Sequence, residues 1–94
     1  MELPKTPEGN VTQLAVVRAL RNVTRETLAR DLGIPAVQVL WWECGEKPSP
    51  AVAKRLGLRL RWEWTKFMSE PMAYEDGWAT LVKGRKSMAK IREG

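Results

Sequence analysis

Thr24-Arg25-Glu26-Thr27-Leu28-Ala29-Arg30-Asp31-Leu32-Gly33-Ile34, followed by Val39-Leu40-Trp41-Trp42-Glu43-Cys44-Gly45, is the stretch on which the fold of this 94-residue chain turns. Thr24 has the side-chain oxygen of a helix N-cap, and Leu28, Ala29 and Leu32 then fall on one face of a short helix. Gly33 supplies the backbone freedom to stop it. Pro35 suits the first turn of the next helix, where a missing N–H costs nothing. That helix covers 36–44, closes at Gly45, and turns Val39 and Trp42 inward.

Outward from this pair, the rest of the chain divides by pattern. Thr12 caps a preceding helix over 12–22, in which Leu14, Val17 and Leu20 recur at spacing three beside Arg18 and Arg21. Residues 1–11 hold Pro4, Pro7 and Gly9 among polar groups and read as a flexible arm. After the loop Glu46-Lys47-Pro48, Ser49 caps and Pro50 opens a fourth short helix over 51–56, ended by Gly57, so the helical unit spans 12–57. Leu58, Leu60, Trp62 and Trp64 then alternate with Arg59, Arg61, Glu63 and Thr65, the period of a half-buried strand. A fifth helix with Leu60, Trp64, Phe67 and Met68 on one side is the rival reading. Residues 69–77 read as a loop, and 78–82 as a return strand or the start of a helix, which makes 58–82 a strand or hairpin segment. Residues 83–94 form a basic tail: Lys83, Arg85, Lys86, Lys90 and Arg92 against Glu93.

Composition narrows the function classes. The chain is 44% hydrophobic and 29% charged, enough for one core and too short for two. It has one cysteine and no histidine, so an internal disulfide, the usual zinc sets and histidine-based triads are absent. Neither a glycine-rich phosphate loop nor a nucleophile motif is written in it, and the expectation is a non-enzyme without cofactor or metal. No apolar run approaches 18 residues and the first 20 positions lack a secretory pattern, so the expected setting is cytoplasmic, without a membrane partner. Sixteen Lys and Arg against eleven Asp and Glu leave a net charge of +5, all of it in the second half. Such an excess suits a polyanionic partner, and it equally suits a solvated face.

Two short helices joined by a glycine turn have the layout of a helix-turn-helix. The stretch from Leu14 to Leu58 resembles the Cro/CI-type (XRE) helix-turn-helix family in Leu14, Val17-Arg18, Val23-Thr24, Leu28-Ala29, Leu32-Gly33-Ile34, Val39 and Trp42-Glu43-x-Gly45. The resemblance implies a mainly α fold, a lambda-repressor-like bundle of four to five short helices, to which the pattern after residue 58 adds a strand or hairpin used for dimerisation. It implies an ion pair between Arg18 and Glu43. It also implies that the third helix enters the major groove of double-stranded DNA, with base contacts from Ala36, Val37, Gln38 and Trp41 and phosphate contacts from Thr24, Arg25 and Lys47. Here the chain departs from the pattern, because of the four base-contact positions only Gln38 carries a paired donor and acceptor, while Ala36 and Val37 suit thymine methyls.

Helix-turn-helix readers of this kind act as dimers, and Leu58, Leu60, Trp62 and Trp64 offer a strand edge for a second copy; the alternative is that the strip folds onto its own core. The expected function is a sequence-specific transcriptional regulator, a repressor of phage, mobile-element or antitoxin type. The alternative is a protein-interaction module on the same scaffold, binding a toxin or polymerase subunit through Val37, Leu40 and Trp41. Leu40 and Trp41 also have a structural reading, packing against the C-terminal segment. Cys44 reads as a buried or incidental thiol rather than a redox switch. The tail is either an arm toward DNA or a free solubilising end.

Overall fold

The computed structural model describes the backbone of residues 3–93 and the side chains of residues 3–86, arranged as α1 Gln13–Arg21, α2 Arg25–Leu32, α3 Ala36–Glu43, α4 Pro50–Leu60, a 3-10 helix Trp64–Met68, and α5 Tyr74–Glu93. It is mainly helical, a small bundle. Local chemistry accounts for most boundaries. Thr12, Thr24 and Ser49 each accept a hydrogen bond from the backbone N–H three residues on, that of Ala15, Thr27 and Val52 respectively. Gly33 adopts φ +69°, and the Ile34 N–H returns to the Ala29 carbonyl at 3.0 Å, so the orphan carbonyls of α2 are satisfied by a left-handed cap. Asn22 closes α1 in the same left-handed region.

Two apolar clusters share α1. One joins Leu14 and Val17 to Leu28, Ala29, Leu32, Val39, Trp42, Ala53, Leu56, Leu60 and Phe67. The other joins Ala15, Val16 and Leu20, on the opposite side of α1, to Leu3, Val11 and Leu81. Trp62 packs against both, and its indole N–H donates to Gln13 Oε1 at 2.9 Å.

Three sequence expectations are corrected here. First, among the described residues there is no strand; the only extended pairing is an isolated antiparallel bridge between Val11 and Met72. The alternation of Leu58, Leu60, Trp62 and Trp64 is divided between two helices and the turn that joins them. Leu56 and Leu60 sit one helical turn apart and are both buried, whereas Leu58 is 84% exposed. Secondly, Gly57 does not end α4. The chain folds back at Arg61, whose φ is +55°, and the Trp62 N–H closes onto the Gly57 carbonyl at 3.0 Å. A Cβ at Gly57 would lie 2.8 Å from the Trp62 carbonyl oxygen and 2.9 Å from the Trp64 Cβ, so the glycine serves close approach. Thirdly, residues 3–11 are not a free arm: Leu3, Thr6 and Val11 are buried, because α1 and α5 leave an apolar seam that this segment fills.

The segment after residue 73 is one helix, so 78–82 is not a return strand. Gly77, Leu81 and Gly84, spaced i, i+4 and i+7, lie on one side of α5. A Cβ at Gly77 would be 3.3 Å from Val11 Cβ, and one at Gly84 would be 2.8 Å from Leu20 Cδ2. Glycine lowers helix propensity, yet here it lets α5 lie close to α1. Of the tail cations, Lys83, Arg85 and Lys86 are exposed on α5; the side chains of Lys90 and Arg92 lie outside the described residues.

Candidate nucleic-acid interface

Residues 33–35 join α2 to α3, and α3 divides cleanly into two faces. Val39, Trp42 and Glu43 point into the bundle, while Val37, Leu40 and Trp41 are 46%, 37% and 49% exposed. Ala36 and Gln38 are half-buried, and Ala36 packs against the first cluster. Exposure at Leu40 and Trp41 removes the reading in which they pack on the C-terminal segment. No cation lies on α3, and its N-cap, Pro35, has no side chain to offer the first amides. The outer face of α3 is therefore an apolar surface with one amide, Gln38, at its edge.

Orientation of this helix is set by a buried charge. Glu43 is fully buried, and its carboxylate meets three guanidinium N–H groups: Arg18 Nε donates to Oε1 at 2.5 Å, Arg18 Nη2 to Oε2 at 3.2 Å, and Arg25 Nε to Oε2 at 2.9 Å. Arg18 Nη1 donates in addition to the Val23 carbonyl at 3.0 Å. One carboxylate thus ties α3 to α1, to the start of α2 and to the turn between them. Burial of a carboxylate is tolerated only with this kind of full satisfaction, and among the described residues no buried side-chain polar atom lacks a partner.

The structure brings Arg18 and Glu43 together, and it adds Arg25, which the sequence reading had assigned to phosphate alone. Only Arg25 Nε is used by Glu43; the side chain is 33% exposed and its terminal amino groups have no acceptor among the described residues. Thr24 is occupied as the α2 cap, with its Oγ1 accepting from the Thr27 N–H at 3.1 Å. Lys47 pairs with Glu70, both at the surface. Other cations near the helix ends are also engaged: Arg55 Nη2 donates to the Leu32 carbonyl at 2.6 Å and Arg59 Nε to Asp31 Oδ2 at 2.7 Å. Cys44 is free and exposed at the end of α3, rather than buried.

The four residues assigned to dimerisation do not share a face. Leu60 is 1% exposed and belongs to the core, so it is removed from any contact with a second chain. Trp62 and Trp64 are half-buried against the first cluster. Leu58 remains outward and borders a shallow apolar groove of about 360 Å³ with Lys54, Gly57, Trp62, Glu63 and Trp64. Lys54 Nζ stands 5.0 Å from the Trp64 ring centroid at its rim.

Sequence reading missed the second link of Glu43 to Arg25, the Gln13–Trp62 bond and the burial of the N-terminal segment. The first had a usable signal, since Arg25 starts the helix that Arg18 and Glu43 bracket. The others join residues more than 40 positions apart or without period, and nothing local announces them. No helix among the described residues is long and apolar enough to cross a membrane. No family model matches this chain, and no curated protein or solved structure matches it.

Proposed function

We propose that this chain is a sequence-specific regulator of transcription of the Cro/CI-type helix-turn-helix class, with a lambda-repressor-like bundle, and that it lays α3 in the major groove of double-stranded DNA. The observation that carries the reading is the Arg18–Glu43–Arg25 arrangement, which holds α3 rigidly against α1 and α2 while its outer face stays exposed. A short rigid helix with an accessible face, beside the start of a second helix, is the geometry that groove readers use. Gln38 supplies the donor–acceptor pair for a base edge, Ala36, Val37 and Trp41 supply apolar contact to thymine methyls, and Arg25, with the first amides of α2, supplies phosphate contact. In this reading the chain acts as a dimer, a repressor type, and the copy-to-copy surface is the outward Leu58 with Trp64 at the α4 groove.

A second reading rests on a specific observation: Val37, Leu40 and Trp41 form one exposed apolar patch, and Lys47 is already paired. Such a patch fits a protein partner, such as a toxin or a polymerase subunit. Selection of bound duplexes from a random DNA pool at near-physiological salt separates the two. Enrichment of a two-fold symmetric site, with half-sites about one helical turn or roughly 34 Å apart, supports the regulator; loss of enrichment at one position in Gln38→Ala assigns that base. Absence of DNA binding overturns it in favour of a protein partner, and a monomeric mass at all concentrations removes the dimer.

A further inference from the structure

Beside the start of α2 lies an open cleft of about 430 Å³ lined by Leu3, Pro4, Lys5, Arg18 and Arg25. Among the described residues three cations and no carboxylate line it. Glu43, fully buried, has its oxygens turned to Arg18 and Arg25, so it neutralises one charge of these three and leaves an excess of two among the described lining residues and their ion pairs. Arg18 is consumed by Glu43 and the Val23 carbonyl. Among the described residues Arg25 is held by its Nε alone, which fixes the plane of its guanidinium and leaves both terminal amino groups for an outside acceptor.

Lys5 lines the same cleft. Among the described residues it forms no ion pair; its Nζ stands 4.4 Å from the Tyr74 ring centroid, a contact that positions an ammonium without occupying its hydrogens. The segment carrying it is pinned by Leu3, Thr6 and Val11, all buried, and by the Val11–Met72 bridge. The ordering of Lys5 is therefore already accomplished by folding and is not charged against binding. A planar guanidinium with two amino groups unengaged among the described residues, sharing a cleft with a lysine, supplies the donors that suit a tetrahedral oxyanion.

We propose that Lys5 and Arg25 form a preorganised clamp for one phosphate group, and, resting on the DNA-binding reading, that the phosphate is one of the duplex backbone flanking the groove that α3 enters. The N-terminal segment is thereby part of the interface and sets the register of α3 on the duplex.

The test compares full-length wild type with Lys5→Ala and with Lys66→Ala, which removes an exposed lysine from the 3-10 helix. DNA affinity is measured as a function of salt for each. Lys5→Ala is expected to reduce the slope of log affinity against log salt by about 0.9, the value of one phosphate contact, with Lys66→Ala leaving the slope as it was. An unchanged slope in Lys5→Ala, or equal reductions in both variants, overturns the clamp while leaving the DNA reading intact. In parallel, inorganic phosphate is titrated into ¹⁵N-labelled protein, following the Arg25 side-chain Nε–H and the Glu26 amide. Saturable shifts that Lys5→Ala weakens support the clamp; shifts absent in wild type overturn it. If wild type binds no DNA, the regulator reading fails, and the phosphate titration alone decides the clamp.

Discussion

The two apolar clusters of this small bundle are built on different plans. The first draws on residues 14–67, nearly all of them at helical spacing within α1 to α4, with Phe67 added from the 3-10 helix. The second is made from the ends of the chain, Leu3 and Val11 from one side and Leu81 from the other, closed on the back of α1. The first cluster follows from periodicity: each helix buries a stripe, and the capping residues decide where the stripe begins and stops. The second brings α5 close to α1 and to the N-terminal segment, with Gly77 and Gly84 at the contact, where a Cβ would lie 3.3 Å from Val11 and 2.8 Å from a terminal methyl of Leu20. One helix, α1, serves both, and its two buried faces explain why five of its nine residues are inaccessible.

The largest effect is expected at the charge that locks the first region. Arg18→Ala leaves the fully buried Glu43 carboxylate with a single hydrogen bond from Arg25, and should cost about 3–5 kcal/mol, read as a fall in denaturant midpoint. A variant as stable as wild type would show that Arg25 alone satisfies Glu43.

Next come paired truncations of the two clusters, Leu56→Ala in the first and Leu81→Ala in the second, both fully buried. Each should cost about 2–5 kcal/mol. Because Trp62 packs against both clusters, Leu81→Ala is expected to lower one cooperative transition. Two separate transitions in its thermal unfolding would make the second cluster an independent unit and sharpen the division between the regions.

The smallest effects are a pair of glycine replacements. Gly57→Ala drives a Cβ against the backbone carbonyl of Trp62, which cannot yield, and should destabilise by about 1–3 kcal/mol. Gly84→Ala meets only the terminal methyls of Leu20, a side chain able to rotate, and gains roughly 1 kcal/mol of helix propensity. Its net effect should be near zero in calorimetry. A large loss at Gly84 would mean that α1 and α5 are packed as rigidly as α4 and the chain folding back over it.

Legibility in the sequence followed the same division. The boundaries of α2 and α3 were readable from Thr24, Gly33 and Pro35, since capping and left-handed turns are decided within a few residues. Arg18 and Glu43 were readable through the family resemblance, and the outward set Val37, Leu40 and Trp41 follows once Val39 and Trp42 are turned inward. The stretch 58–64 misled because two-residue alternation in a short window is also produced where a helix gives way to a turn. Leu58 and Leu60 look equivalent in the sequence, yet one is exposed and the other is core.

By itself, then, the sequence determined the elements whose causes are local: three capped helices, the glycine turn between α2 and α3, and the inner faces of those helices. Only the tertiary structure decided what depends on distant partners. It continued α4 through Gly57, because the backbone of Trp62 and Trp64 needed that space; it placed Leu3 and Val11 in a core; and it drew Arg25 to Glu43. In each case the deciding energy is the burial of an apolar surface or a charge against residues far away in the chain, which no window of neighbouring residues contains.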